Sequence, residues 1–189
     1  MSRAGWNPRR AVDADVPALE ELIALSVRGI HGPYYRQEQI DASIGTVFGV
    51  DRQLIEDGTY FVVEHGGRVV GCGGWSRRAT LCGSDSLRTR RDPEVDPRTE
   101  PARVRAFFVH PDWVRRGIGA SIMALCEREI RAAGFGRVVI MATLPGVPLY
   151  ASFGYRETER IAVPMPGGLT IETVRMEKAL LGGAVQAHQ

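Results

Sequence analysis

Gly117 and Gly119 stand one residue apart behind two arginines, Arg115 and Arg116, where an apolar extended run gives way to helical periodicity. That combination can hold an anion. The first amides of a helix have no acceptor inside the helix and point outward along the positive end of its dipole. Glycine at two positions lets a diphosphate come up against backbone N–H groups, and the arginines add positive charge beside them. Ile118, Ala120 and Ser121 complete the turn. The pattern lacks the third glycine of a dinucleotide fingerprint and the Lys-Ser/Thr of a nucleotide P-loop. Cys72, Cys82 and Cys126 keep no metal-ligand spacing, so no metal is expected; reduced thiols and a cytoplasmic protein are the simplest reading of that count.

The elements that must position this turn can be read on either side of it. Ala102, Val104, Ala106, Phe107, Phe108 and Val109 form the extended run, and His110-Pro111-Asp112-Trp113 turns the chain. In the helix that follows, Ile118, Ile122, Leu125, Cys126, Ile130 and Ala133 recur on one apolar face, with Glu127 and Arg131 paired on the wet side. Residues 137–142 read as a short buried strand, and the strand–helix–strand order implies a parallel crossover. A short helix over 147–153 starts with Pro148 near its first turn and exits at Gly154. A hairpin over 155–165 and 169–177 closes the pattern about Pro166-Gly167-Gly168.

Upstream, 7–12 reads as a first strand and Asp13 or Asp15 caps a helix that stops near 29–33. One or two short helices are expected in 36–56. Residues 60–64 and 68–75 form a hairpin around His65-Gly66-Gly67. Its glycines Gly71, Gly73 and Gly74 are expected to admit a ligand or another backbone. Residues 77–101 are a long loop insertion, basic first (Arg77, Arg78, Arg88, Arg90, Arg91) and then acidic (Asp92, Glu94, Asp96, Glu100). Its role lies between a surface excursion, with the acids paired to the arginines, and a cover over the substrate that attracts a cationic acceptor.

With 189 residues, 44% hydrophobic and 24% charged, the chain fits one domain over 1–181 and a flexible tail over 182–189. A net charge of +2 gives no argument for a nucleic-acid or membrane partner. The N-terminus lacks the apolar run of a signal peptide, and no stretch is long enough to span a bilayer.

A second constellation, Pro148-Leu149-Tyr150-Ala151-Ser152-Phe153-Gly154-Tyr155, lies about thirty residues beyond the glycine turn. Together the two resemble the GNAT superfamily of acyl-CoA-dependent N-acetyltransferases, over most of the chain and most strongly over 104–155. Gly117 and Gly119 match its pyrophosphate turn (Arg or Gln, two residues, Gly, any residue, Gly or Ala), with Val114 standing at the Arg/Gln position. The second stretch is similar to its Leu-Tyr, three residues, Gly-Phe signature, with Tyr155 as the aromatic. Thr143 and Gly146 replace the Asn and Ala often found seven and four residues before that tyrosine.

The resemblance implies an α/β acyl-CoA N-acyltransferase fold: a mixed, twisted sheet of six to seven strands with helices on both faces, splayed so that acetyl-CoA enters between 107–109 and 138–142. It implies Phe107, Phe108 and Val109 beside the pantetheine, and Arg115, Arg116, Gly117, Ile118, Gly119, Ala120 and Ser121 around the pyrophosphate. Tyr150 falls where the family's tyrosine reaches the coenzyme sulfur and is assigned as general acid. The oxyanion donor is expected to be a backbone N–H near Phe108 or Val109. An amine acceptor with a lysine-like pKa of about 10.4 must lose a proton, to a base or through water. Glu100 and His110 are the catalytic-base candidates, with His31 more remote. The acceptor is a primary amine of a small molecule or peptide, and Tyr34 and Tyr35 are placed as possible walls of its cleft. Homodimer formation through a sheet edge or the last hairpin is expected by analogy alone. The competing class is a non-catalytic acyl-CoA-binding, sensing module.

Overall fold

In the computed structural model, residues 6–81 and 92–180 are described. Expectations for Cys82, for Arg88, Arg90 and Arg91, and for the tail fall outside those residues.

Seven strands, β1 (Arg9–Arg10), β2 (Tyr60–His65), β3 (Arg68–Ser76), β4 (Ala102–Val109), β5 (Arg137–Thr143), β6 (Arg156–Pro164) and β7 (Thr170–Ala179), form one sheet. Their order is β1-β2-β3-β4-β5-β7-β6. The β4–β5 pair is parallel and its neighbours are antiparallel. Five helices, α1 (Val16–Ile30), α2 (Gln37–Ser43), α3 (Arg52–Glu56), α4 (Ile118–Ala132) and α5 (Val147–Ser152), cover it. The mixed α/β architecture expected from the resemblance is the one that forms.

Two apolar clusters flank the sheet. On one face Ile118, Ile122, Met123, Cys126 and Ile130 of α4, with Tyr150 of α5, pack on Val104, Val138 and Ile140. On the other, Leu19, Leu22, Ile23 and Val27 of α1 pack with Ile40, Leu54, Val62 and Cys72. Leu125 is only partly buried, and Met123 takes a place in the core. Glu127, expected in water, is 5% exposed. Lys178 Nζ at 2.7 Å and Arg131 at 3.2 Å neutralise it, which is what a buried carboxylate requires.

β1 is shorter than the expected 7–12. Arg9 makes two bonds to the Asp15 carboxylate, which also accepts the Val12 N–H at 2.8 Å, so the chain turns out of the sheet into α1. The glycines of β3 admit other parts of the chain, backbone at Gly74 as expected and side chains at Gly71 and Gly73. A Cβ on Gly71 would collide with Ile118, one on Gly73 would lie 2.6 Å from the Phe107 ring, and one on Gly74 would lie 2.5 Å from Thr59 O. These glycines let α4, an aromatic ring and β2 lie directly on the strand.

The described ends of the 77–101 insertion are pinned to each other and to α3. Val95 N–H donates to Arg77 O at 2.8 Å and Ala79 N–H to Pro93 O at 3.1 Å. The Arg78 guanidinium grips Asp57 with two 2.7 Å bonds, both side chains buried. Glu94 lies 3.7 Å from Arg78, and Asp96 pairs with Arg98 at 2.8 Å, so these acids are matched with arginines. Among the described residues no helix is long and apolar enough to cross a membrane, and no group of three or more His, Cys, Asp or Glu could hold a metal ion.

Candidate active site

β4 and β5 pair only through Ala102↔Val138, Arg103↔Val139 and Val104↔Ile140, although both strands run on. The cause lies in β4. Its register against β3 shifts between Cys72 and Gly74, where Ala106 has a φ of +56°. The extra residue makes a β-bulge, which bends the strand and sharpens its twist. Beyond it β4 leaves β5 and a wedge opens.

The backbone polarity of that wedge follows from the pairing. His110 N–H bonds to Val70 O at 2.9 Å, and Val109 lies opposite Gly71 and Phe108 opposite Cys72. In an antiparallel ladder, bonded and non-bonded pairs alternate. Phe108 N–H is therefore turned to β3, while that of Val109 faces the wedge; at Phe107 the bulge interrupts the pairing. Of the two amides expected as an oxyanion donor, Phe108 is turned away and Val109 faces the wedge.

A cavity of about 80 Å³ occupies the wedge, lined by Val104 through Phe108 of β4, Ile140, Met141 and Thr143 beside β5's edge, Tyr150, and the α2–α3 connection with Phe48 and Asp51. Tyr150 is 5% exposed; its ring meets those of Phe107 and Tyr155 edge-on, each at 6.1 Å between centroids. Gly146 makes room for it, since a Cβ there would lie 3.0 Å from Tyr150 Cε2. Burial, with a smaller push from Cys126, raises the Tyr150 phenol well above its usual range, so it keeps its proton. Among the described residues nothing hydrogen-bonds its hydroxyl, which leaves the O–H for a ligand.

The glycine turn follows the C-terminal end of β4, and Ile118 beside it packs over Gly71, the residue opposite Val109. Gly117 has φ +85° and ψ 5°, and caps α4; Arg115 has φ +64°. Left-handed residues in such a turn aim successive N–H groups into one concavity. The first helical bond is Ser121 N–H to Gly117 O, and among the described residues the amides of 115–120 have no acceptor. Only the backbone of Ile118 faces the turn, its side chain being 1% exposed, and the Ser121 hydroxyl is turned back onto Ile118 O at 2.8 Å. Gly119 sits against Leu149, whose Cδ2 would lie 3.0 Å from a Cβ. Arg116 stacks over Trp113, 4.6 Å from the ring centroid, and Trp6 donates its indole N–H to Arg116 O at 2.6 Å. Arg115 is exposed.

Other expected residues lie outside the cavity lining. His110 caps the turn over Pro111–Trp113, its Nδ1 accepting the Asp112 N–H at 3.2 Å. Glu100 is half exposed and pairs with Arg103 at 3.3 Å. His31 is buried against Tyr35 and Phe48. Tyr35 donates to Glu172 O and accepts the Leu144 N–H, bracing the fold, and Tyr34 is exposed. Conversely, the sequence did not single out Asp51 and Arg105, which pair at 3.0 Å beside the cavity, or Trp6. The bulge did leave a trace: the residues directed at the α4 face fall on even numbers to Val104 and on odd ones from Phe107.

The family model for the acetyltransferase (GNAT) family matches residues 18–155. Solved structures share the fold at low identity. A GCN5-related N-acetyltransferase from Rhodopseudomonas palustris is 19% identical, with a TM-score of 0.71 over 95% of this chain and 99% of its own. The yncA protein of Salmonella typhimurium, solved with its cofactor acetyl-CoA, is 18% identical, with a TM-score of 0.62 over 96% of this chain and 97% of its own. The PaiA N-acetyltransferase of Thermoplasma acidophilum, in complex with coenzyme A, is 12% identical, with a TM-score of 0.61 over 93% and 99%. No curated protein matches the sequence.

Proposed function

The chain belongs to the acetyltransferase (GNAT) family, and from that membership we propose that it is an acetyl-CoA-dependent N-acetyltransferase acting on a primary amine of a small molecule or peptide. The observations that carry the reading are a run of amides at 115–120 and a Tyr150 hydroxyl in the cavity wall that, among the described residues, have no hydrogen-bond partner. A diphosphate suits the first and a leaving thiolate the second.

Acetyl-CoA supplies the activated acyl group. The amides of 115–120 hold the pyrophosphate, with Arg115 adding charge from solvent. The Phe107 and Val109 N–H groups face the pantetheine and the acyl carbonyl, where an N–H fixed in advance stabilises the charge that develops on oxygen. As the new N–C bond forms and the C–S bond breaks, Tyr150 gives its proton to sulfur. Neither Glu100 nor His110 lines the cavity, and the Asp51 carboxylate that does is paired with Arg105, so the proton lost by the ammonium leaves through water. The nitrogen sheds a second proton to solvent as the intermediate collapses to the amide, and Tyr150 regains one from solvent, so the net products are the acetamide, the free thiol and one proton.

The test is thiol release from acetyl-CoA over a panel of amines, beside thermal shifts with acetyl-CoA, ATP and NAD. Stabilisation by acetyl-CoA with acceptor-dependent thiol release is expected. Stabilisation without release for any amine would favour the sensing module, and stabilisation by ATP or NAD alone would exclude both. A rate that rises with pH according to the amine's own ionisation is expected from the water path; an acidic limb that moves with Glu100→Gln or His110→Gln would restore a side-chain base.

A further inference from the structure

We propose that Tyr60 and Cys72 are positioning residues that lock the β4 bulge and so aim the Phe107 N–H into the wedge, a role that rests on the acetyl-transfer reading above. Ala106 adopts φ +56°, a left-handed conformation in which an alanine needs outside support. The support comes from its carbonyl. Ala106 O lies 3.3 Å from the Tyr60 hydroxyl and 3.6 Å from Cys72 Sγ, and those two side chains are 3.3 Å from each other. Both are fully buried, one on β2 and one on β3. Burial pushes the Cys72 thiol up to about 12, so it keeps its proton and donates.

In a trans peptide the C=O and the following N–H point in opposite directions. A carbonyl held toward β2 and β3 fixes the Phe107 N–H toward β5, into the cavity. Were the lock absent, the Ala106–Phe107 peptide could rotate out of its strained conformation, and the N–H would leave the position where acyl-oxygen charge develops. A hydroxyl used for packing alone gains nothing over a phenylalanine in this core, since burying it costs free energy unless it is bonded. Tyr60 and Cys72 touch no reacting atom; they act through one peptide group.

The experiment compares wild type, Tyr60→Phe, Cys72→Ala, the double variant and Cys72→Ser. Each is assayed for kcat with a competent amine, for the acetyl-CoA Kd, and for the infrared carbonyl stretch of bound 13C-acetyl-CoA. The stretch reads the hydrogen bond to the acyl oxygen without needing an acceptor. The double variant is expected to lose about tenfold in kcat, below the 10²–10³ for deleting an oxyanion donor outright. Its Kd should move less than twofold and its carbonyl stretch should return toward the free value. Cys72→Ser, which keeps a donor, should recover most of the rate. A folded Tyr60→Phe,Cys72→Ala protein with wild-type kcat and stretch would overturn the lock while leaving acetyl transfer standing. Failure of the wild type to bind acetyl-CoA would overturn both.

Discussion

Replacing Gly117 by alanine separates the anion turn from the general stability of the fold. Gly117 holds φ +85°, and among the described residues a Cβ there would meet only Trp6 Cδ1 at 4.0 Å, so the cost is in the backbone and not in a clash. A left-handed alanine costs about 1–2 kcal/mol. For a chain of this size each kcal/mol moves Tm by roughly 2–4 °C, so a fall of about 2–8 °C is expected if the turn keeps its shape. If the turn relaxes to escape the strain, the amides of 117–119 rotate and the pyrophosphate loses donors; two lost bonds of about 1 kcal/mol each weaken acetyl-CoA by more than tenfold. Gly134 is the matched control, with φ +87° and nothing within 4 Å, at the opposite end of α4. Gly134→Ala carries the same backbone cost and should leave the Kd alone. Calorimetric Tm and titration of acetyl-CoA measure both quantities. If the two variants lose stability alike and Gly117→Ala binds acetyl-CoA as wild type does, the turn is not the anion site.

Other perturbations follow from the same geometry. Tyr150→Phe should lower kcat by about 10² while the acetyl-CoA Kd stays within twofold, because a general acid acts on the transition state; single-turnover kinetics read it. Trp6→Phe removes the indole bond to Arg116 O, a loss of about 0.5–1.5 kcal/mol that should weaken acetyl-CoA about two- to tenfold in an equilibrium titration. Gly73→Ala drives a methyl to within 2.6 Å of the Phe107 ring and should destabilise by about 1–3 kcal/mol in denaturant unfolding. His31 is 4% exposed, and burial lowers its pKa to about 4, whereas the unfolded chain takes up that proton near 6.5. The unfolded state therefore binds more protons between these values, and stability present above about 6.5 is lost as pH falls toward 4, by up to about 3 kcal/mol. His31→Gln should flatten that slope in urea titrations at pH 7 and 4.5.

The periodic segments were legible because their side chains report the fold directly. The stripe from Ile118 to Ile130 put α4 on the sheet, and the Gly-Gly turn at 66–67 joined β2 to β3. Where two distant segments meet, pattern said less. Glu127 looked solvated beside Arg131, and nothing in α4 announced that Lys178 of β7 would cover it. The glycines of β3 carried an ambiguous message, since close approach by Ile118, by Phe107 or by a ligand makes the same demand on the residue type. The glycine turn could be recognised because amides need no particular side chains. The position of the amide in β4 could not, since Ala106 is not a residue that advertises a left-handed backbone; only the shift of apolar parity across it did. The Tyr60–Cys72 contact is a diagonal pair across the β2–β3 hairpin, and neither residue type marks it as a support for β4.

The three-residue join between β4 and β5 has a mechanical side. It is narrower than the antiparallel ladders on either side of it. Backbone groups beyond Val104 that a continuous sheet would have spent on a neighbour are left for whatever enters the wedge. A pantetheine arm seated there would serve as a suture, completing the sheet's cohesion as well as presenting an acyl group. Its imprint in hydrogen exchange should then reach past the residues it touches, slowing exchange in β3 and β7, where opening requires the two halves to part. Depletion of the donor would register first as a softer sheet.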